Sequence, residues 1–400
     1  MVMDEPVPQG SGARVAAEWS WRRVLPAVRS SLSLSKILIG TVGLLLVRGG
    51  LGVLSTAASW PGGAGVELGD LEGLVDRGPL PIPWEAAPLG ELSARLGEPM
   101  LLIPRLLRFV FESRPGTWQT LAGLVALLWV LLVWGLAGGA IARITLVASA
   151  GKGTLGLIGA IRFAVPRLGT LVAAPLEVLL LVALALGGCA GYGLVCWLPF
   201  GIGELLGSLF LFLPLLLGLL ILLLLAFLAA GWPLLHASIA AETADALDAL
   251  SRAFGYIRYR LPKFVGMVAI VWAMGVPTLM VVEAVPAAWL RITSWGLALT
   301  APASAGTAPG SLGGAAEPGF HLAAALRAFW LSAPEQLVQG WIYSYTWTSF
   351  AIIYLVLRSD VDGTPWSELS GPARSPADRS PPQPPPPPQP EPAPVEPSID

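Results

Sequence analysis

Charged residues are scarce in this sequence: Asp, Glu, Lys and Arg fill only 12% of its 400 positions, about half the share found in soluble domains. That deficit excludes an ordinary water-facing surface and points to lipid. The formal net charge is −2. No basic excess is available to neutralise phosphates, so no nucleic-acid partner is expected. Cys189 and Cys196 are the two cysteines, both inside one apolar run. They exclude a disulfide framework and a CxxC metal or redox motif. Seven positions apart, they share a helix face and are read as packing groups. His236 and His321 lie far apart in the chain, so a zinc site built from Cys and His is not expected. No cofactor is expected. No nucleophile–base pair stands out either, and Ser251 has no histidine near it in sequence, so enzymatic activity is not expected.

What the chain has is apolar length. Hydrophobic residues make up 54% of it and the mean hydropathy is +0.70. Six apolar runs stand near 37–54, 118–141, 171–197, 205–230, 265–287 and 337–357. About 20 apolar residues cross a ~30 Å hydrocarbon core. The expected fold is therefore all-α and polytopic, with about six transmembrane helices. Residues 1–36 form a polar N-terminal segment, 37–357 the transmembrane domain, and 358–400 a polar tail. From Ser380 that tail is dominated by proline, which favours a polyproline II rod or disorder. A cleaved signal peptide competes for 37–54, because Thr56, Ala57 and Ala58 offer a small-residue site. The long leader before the run favours a signal anchor.

Orientation follows from Lys and Arg. With the N-terminus inside, the inner segments carry 16 of them and the outer segments 7. That bias favours cytoplasmic N- and C-termini in a bacterial inner membrane. Residues 55–116 are then an outer Gly/Pro-rich loop, with a short interfacial helix at 100–111 interrupted by Pro104.

One stretch between the fourth and fifth runs, 232–264, reads as an amphipathic helix on the inner surface. Leu247, Leu250, Phe254, Ile257 and Leu261 recur every three or four residues and form one apolar stripe. Asp245, Asp248 and Arg252 fall largely off it. Asp248 and Arg252 make an i,i+4 pair in the favourable order. Acids crowd the start and Arg252, Arg258, Arg260 and Lys263 the end, which suits the helix dipole. The basic end would meet anionic headgroups, so the bilayer with its anionic lipids is the expected partner, and protein partners are a further expectation. A fainter copy lies 93 residues earlier: Ala160, Phe163, Arg167 and Leu168 align with Ala253, Tyr256, Arg260 and Leu261. That suggests a parallel repeat with a second inner-surface helix. Similarity between two basic amphipathic linkers is the plainer explanation.

These residues also carry a family resemblance. Glu242, Asp245, Ala246, Asp248, Ala249, Leu250, Ser251, Arg252 and Tyr256 form a block E-x-x-D-A-x-D-A-L-S-R-x-x-x-Y. Ile353, Tyr354, Leu355, Leu357, Arg358, Asp360, Val361, Asp362, Gly363 and Thr364 form a second, I-Y-L-x-L-R-x-D-V-D-G-T. Over roughly 118–370 the pattern resembles a family of uncharacterised bacterial multi-span membrane proteins. More loosely, it is similar to the membrane region attached to some glycerophosphodiester phosphodiesterases. The chain departs from the family where Arg-Pro is usual, having Arg260-Leu261-Pro262. The second likeness implies topology and not activity, since no phosphodiesterase catalytic domain is present.

Ionisable groups inside spans are candidates for function: Arg48, Glu204 and Glu283 in the outer half, Glu177 and His236 in the inner half. The sharper reading pairs Arg48 with Glu283 and Glu177 with His236 along a path. The plainer one has them reaching headgroups or bonding helix to helix. Asp360 and Asp362 lack an EF-hand's further ligands and read as a turn. Gly151-Lys152-Gly153-Thr154 lacks a phosphate loop's first glycine and reads as a linker. Gly135–Gly139, Gly187–Gly191 and Gly203–Gly207 are GxxxG spacings, the first two the better candidates for close helix packing within the chain. Two function classes remain: a structural or accessory membrane component, which is the first expectation, and a small-solute transporter or permease.

Overall fold

The computed structural model describes residues 20–58, 89–112, 117–199, 202–299 and 321–369. All of them belong to one unit, Met1–Leu369. Every regular element among them is helical: a 3-10 turn at Ser20–Val24, then α1 (Pro26–Ser31), α2 (Leu34–Ala58), α3 (Leu89–Leu96), α4 (Glu98–Glu112), α5 (Thr117–Ser149) and α6 (Leu157–Ala164). A 3-10 turn at Val165–Arg167 leads into α7 (Leu168–Cys196), followed by α8 (Ile202–Leu209), α9 (Phe212–Glu242), α10 (Ala246–Tyr259), α11 (Leu261–Ala298) and α12 (His321–Asp362). The fold is an all-α polytopic membrane protein. Among the described residues, five helical stretches are long and apolar enough to cross a membrane: Leu34–Leu54, Thr120–Ser149, Leu157–Cys196, Phe212–Glu242 and Leu261–Gly296.

The sixth expected span, 337–357, lies in α12, which differs in kind. Every residue from 338 to 358 is buried, and α12 packs against α2, α5, α9 and α11. Ringed by helices, it need not be apolar, and it carries Gln339, Ser344, Thr346, Thr348 and Ser349. Helix α9 is the opposite case. Its Leu-rich half is exposed, as lipid-facing residues should be, whereas Trp232 to Ala241 are all buried.

Close approach sets the centre. A Cβ on Gly340 of α12 would lie 2.0 Å from Thr41 Oγ1 and 2.7 Å from the Thr41 nitrogen, so α2 and α12 cross in backbone contact. Gly138 does the same for an aromatic: its Cβ would sit 1.9 Å from Trp347 Nε1. Trp347 heads a stacked group with Trp134 (5.0 Å between ring centroids) and Tyr343, which lies 4.0 Å from Trp134 at an interplanar angle of 6°. Offset stacking adds about 0.5–1.5 kcal/mol per pair beyond area burial. Of the GxxxG pairs, Gly135 and Gly139 pack on α7, and Gly203 and Gly207 on the end of α7, while Gly187 and Gly191 meet nothing within 4 Å. The expected preference for the second pair over the third is therefore reversed. Cys189 is partly buried and Cys196 exposed, both free.

Two expectations are corrected here. Helix α4 is not an interfacial helix on an outer loop. Leu102, Ile103, Leu106 and Leu107 are buried, and α4 packs on α5 and α9. With α3 it makes a helical hairpin whose turn is inserted in the bundle. Residues 95–99 are all buried, Trp232 Nε1 donates to the Pro99 carbonyl (3.2 Å), and Trp272 Nε1 donates to Ser93 Oγ (2.7 Å). Enough apolar surface on both faces of the hairpin makes burial favourable, and the Trp donors satisfy its polar atoms. The helix forms as expected, but its stripe is split: Leu247, Phe254 and Leu261 are exposed, Leu250 and Ile257 are partly buried against the bundle, and Ala249, Ala253 and Tyr256 are the buried residues. Small alanines let α10 sit close on the bundle.

Residues 300–318 and the Pro-rich tail lie outside the described residues. Gly151 and Gly153 both have positive φ, 69° and 92°, as a linker between α5 and α6 requires. Between α9 and α10 the chain turns on Thr243, a β-branched residue at φ 54°. A left-handed conformation costs a non-glycine residue roughly 1–2 kcal/mol. Replacing Thr243 by Gly or Asn is expected to stabilise the chain by about 1 kcal/mol. An unchanged or lower unfolding midpoint in detergent would refute the strain.

Candidate functional site

Several of the sequence's candidate charges fall into two clusters. The first lies inside the bundle, where the α3–α4 turn meets α2, α11 and α12. Arg95 Nη1 donates to Glu283 Oε1 (3.1 Å) and its Nη2 to Glu91 Oε1 (2.6 Å). Arg48 donates instead to two amides of α12, Gln336 Oε1 (2.7 Å) and Gln339 Oε1 (2.9 Å). Glu283 is thus met by a second arginine, Arg95, which α3 delivers: a buried carboxylate takes a cation that reaches it with aligned donors. Arg95, Glu98 and Glu283 are all buried. With Glu335 and Gln339 they line a polar cavity of about 10 Å³, the volume of a single water. Sequence reading missed Arg95 and Glu98, because 89–112 looks like a loop, and Glu335, Gln336 and Gln339, which sit at the edge of the last apolar run. The signal available was Glu98 and Arg95 beside the apolar pattern of 100–107.

The second cluster holds the ends of α9, α10, α11 and α12 together. Glu242 is its hub. Arg358 Nε lies 2.9 Å from Glu242 Oε1, Tyr354 donates to the same oxygen (2.7 Å), and Arg252 Nη1 reaches Glu242 Oε2. Arg252 Nε also bonds Asp248 (2.9 and 3.0 Å). The Asp248 bond, working against partial burial and aided by Glu242, holds the Arg252 guanidinium above its usual pKa. Tyr256 donates to Asp362, and Lys263 pairs with Asp360. Burial and the Asp362 bond push the Tyr256 phenol up. Arg358 also donates to the Glu368 carbonyl (2.7 Å), and Lys152 to the Leu369 carbonyl (3.1 Å). The two motif blocks, about 100 residues apart in sequence, are therefore two sides of one network. Asp245 caps α10 by backbone position without a side-chain bond, and Arg258 and Arg260 are exposed.

Between the clusters stands the aromatic group. His236 does not meet Glu177. Its Nδ1 accepts from Trp347 Nε1 (2.9 Å), and a backbone hydrogen bond to Leu171 engages the ring as well. The wide Trp347 side chain fills the space beside α9. Glu177 stays partly buried on α7, with Oε2 meeting no polar atom among the described residues. Glu204 is exposed in the first turn of α8, where a negative charge suits the helix dipole. A larger cavity, about 530 Å³, lies among α7, α8 and α9. Its lining is apolar apart from Tyr192, whose hydroxyl donates to the Gly207 carbonyl, and it shares no residue with either cluster. Among the described residues no group of three His, Cys, Asp or Glu side chains could hold a metal ion.

Comparison with family models, with curated proteins and with solved structures finds no match.

Proposed function

We propose that this chain is a small-solute transporter or permease of a bacterial cytoplasmic membrane, with both termini on the cytoplasmic side. The observation that carries the reading is the inserted α3–α4 hairpin, whose buried Arg95 and Glu98 meet Glu283 of α11 and the Arg48–Gln339 contact of α2 and α12. A buried ion pair costs several kcal/mol of desolvation per ion and often stabilises no more than an apolar replacement would. A bundle without a task in its interior gains nothing from such charges, and intramembrane charges commonly mark a substrate or ion path. Irregular backbone at depth, as at Gly97, is tolerated where it is enclosed by protein or lines a cavity.

A structural or accessory role, the simpler reading of sequence alone, is favoured by one different observation. The stacked Trp134, Tyr343 and Trp347 with His236 close the space between the clusters. The two readings separate on accessibility. In a chain carrying C189A and C196A, Q339C is expected to react with a membrane-impermeant thiol reagent in proteoliposomes, more slowly than exposed R258C, as the charged centre opens. If Q339C stays unlabelled while R258C reacts to completion, the bundle is permanently closed and the transport reading fails. The family resemblance and the anionic-lipid partner remain part of the proposal. They are supported by the convergence of both blocks on Glu242 and by the exposed Arg258 and Arg260.

A further inference from the structure

Between 143 and 168 the chain has Arg143, Lys152, Arg162 and Arg167 and no acid. The fold brings two of these cations onto one ring. The Arg143 guanidinium lies 4.5 Å from the Phe163 ring centroid and that of Arg167 lies 4.2 Å from it. Each is also fixed by a helix-end carbonyl. Arg143 Nη1 donates to Ala240 (2.7 Å), in the last turn of α9, and Arg167 Nη1 donates to Phe163 (3.1 Å). Terminal carbonyls lack partners within their own helix, so these bonds satisfy them and hold the guanidiniums in place. Among the described residues no carboxylate contacts Arg167. The two guanidiniums therefore share one ring, that of Arg143 buried and that of Arg167 half-buried, with most of the donors of Arg167 still unspent.

We infer that Arg143 and Arg167, held against Phe163, form a binding site for the phosphate group of an anionic membrane lipid. A phosphate accepts the remaining planar donors of Arg167 in bidentate fashion, with the second guanidinium close by on the same ring. The surroundings select a lipid over free phosphate. Ile158 is 80% exposed and Val165 53% exposed on the same short segment. Beside a headgroup these side chains enter the acyl region, whereas free phosphate would leave them in water. Exposed Arg162 stands on the same segment and adds to the local positive potential. This site is distinct from diffuse attraction of the leaflet to Arg258 and Arg260, and it does not depend on the transport reading.

The test uses the full chain in detergent, titrated with phosphatidylglycerol, phosphatidylcholine or inorganic phosphate and read by native mass spectrometry. One phosphatidylglycerol is expected to remain bound, with phosphatidylcholine and inorganic phosphate retained far less. R167Q is expected to weaken retention roughly tenfold, about the worth of one charge-assisted hydrogen bond, and R167K to recover only part of it. An unchanged unfolding midpoint without lipid establishes that R167Q is folded. The double variant R258Q/R260Q is expected to leave the bound lipid in place. Equal retention by R167Q and the parent chain overturns the site. So does an equal loss in R258Q/R260Q, which would reduce it to general surface charge. Inorganic phosphate binding as tightly as the lipid overturns the lipid assignment.

Discussion

Removing the Glu242 carboxylate is expected to cost about 3–5 kcal/mol of stability, the penalty for breaking a buried ion pair from one side. The side chains of Glu242 and Arg358 are each only 10% exposed. In E242A the Arg358 and Arg252 guanidiniums lose their shared anion, and the Tyr354 hydroxyl loses its acceptor. Three helix ends are joined through these groups, so the effect should exceed that of removing an outlying member. D248N, at a side chain 47% exposed, is expected to cost under about 1 kcal/mol, as exposed pairs do. Thermal unfolding of the purified variants in one detergent compares them. Similar midpoints for E242A and D248N would mean that Glu242 is not the hub. The double variant E242Q/R358M should recover part of the loss, because it removes the stranded charge along with its partner.

G340A is the second large effect. The added methyl would lie 2.0 Å from Thr41 Oγ1 and 2.9 Å from the Ile37 carbonyl, so α2 and α12 must separate. Overpacking costs typically 1–3 kcal/mol. Here the obstacle is backbone and not a movable side-chain end, so about 3 kcal/mol is expected. The separation also lengthens the Arg48 contacts with Gln336 and Gln339, which lie on the same two helices. G187A supplies the contrast: nothing stands within 4 Å of its added methyl, and alanine favours the helix by about 1 kcal/mol. A G340A chain that unfolds at the parent temperature, or a G187A chain that loses as much, would contradict the assigned crossing.

The spans and the surface helix were legible because their signals are local. A run such as 212–228 is apolar on every side, which only lipid exposure or deep burial explains. The α10 pattern of stripe, acidic start and basic end needs no distant contact to be read. The direction of that stripe was not legible, since periodicity identifies a face without saying what covers it. Alanines 249 and 253 are the residues buried where α10 meets the bundle, while Phe254 stays half exposed with its ring against Phe227 of α9. Partner choice was no more legible. Arg48 and Glu283 were paired by estimated depth alone, and Arg95, which bonds Glu283, sat in a segment that resembled a loop.

The sequence by itself determined that this protein lives in a membrane, that it is all-helical, and where most of its helices run. Those properties follow from composition and period, which each segment carries alone. Only the tertiary structure decided that α12 is enclosed, that the α3–α4 hairpin enters the bundle, and that two motif blocks meet at Glu242. Each is a contact between segments far apart in the chain. The physical reason is that a charge or a Gly, Gln or Trp inside a bundle takes its meaning from whatever packs opposite it.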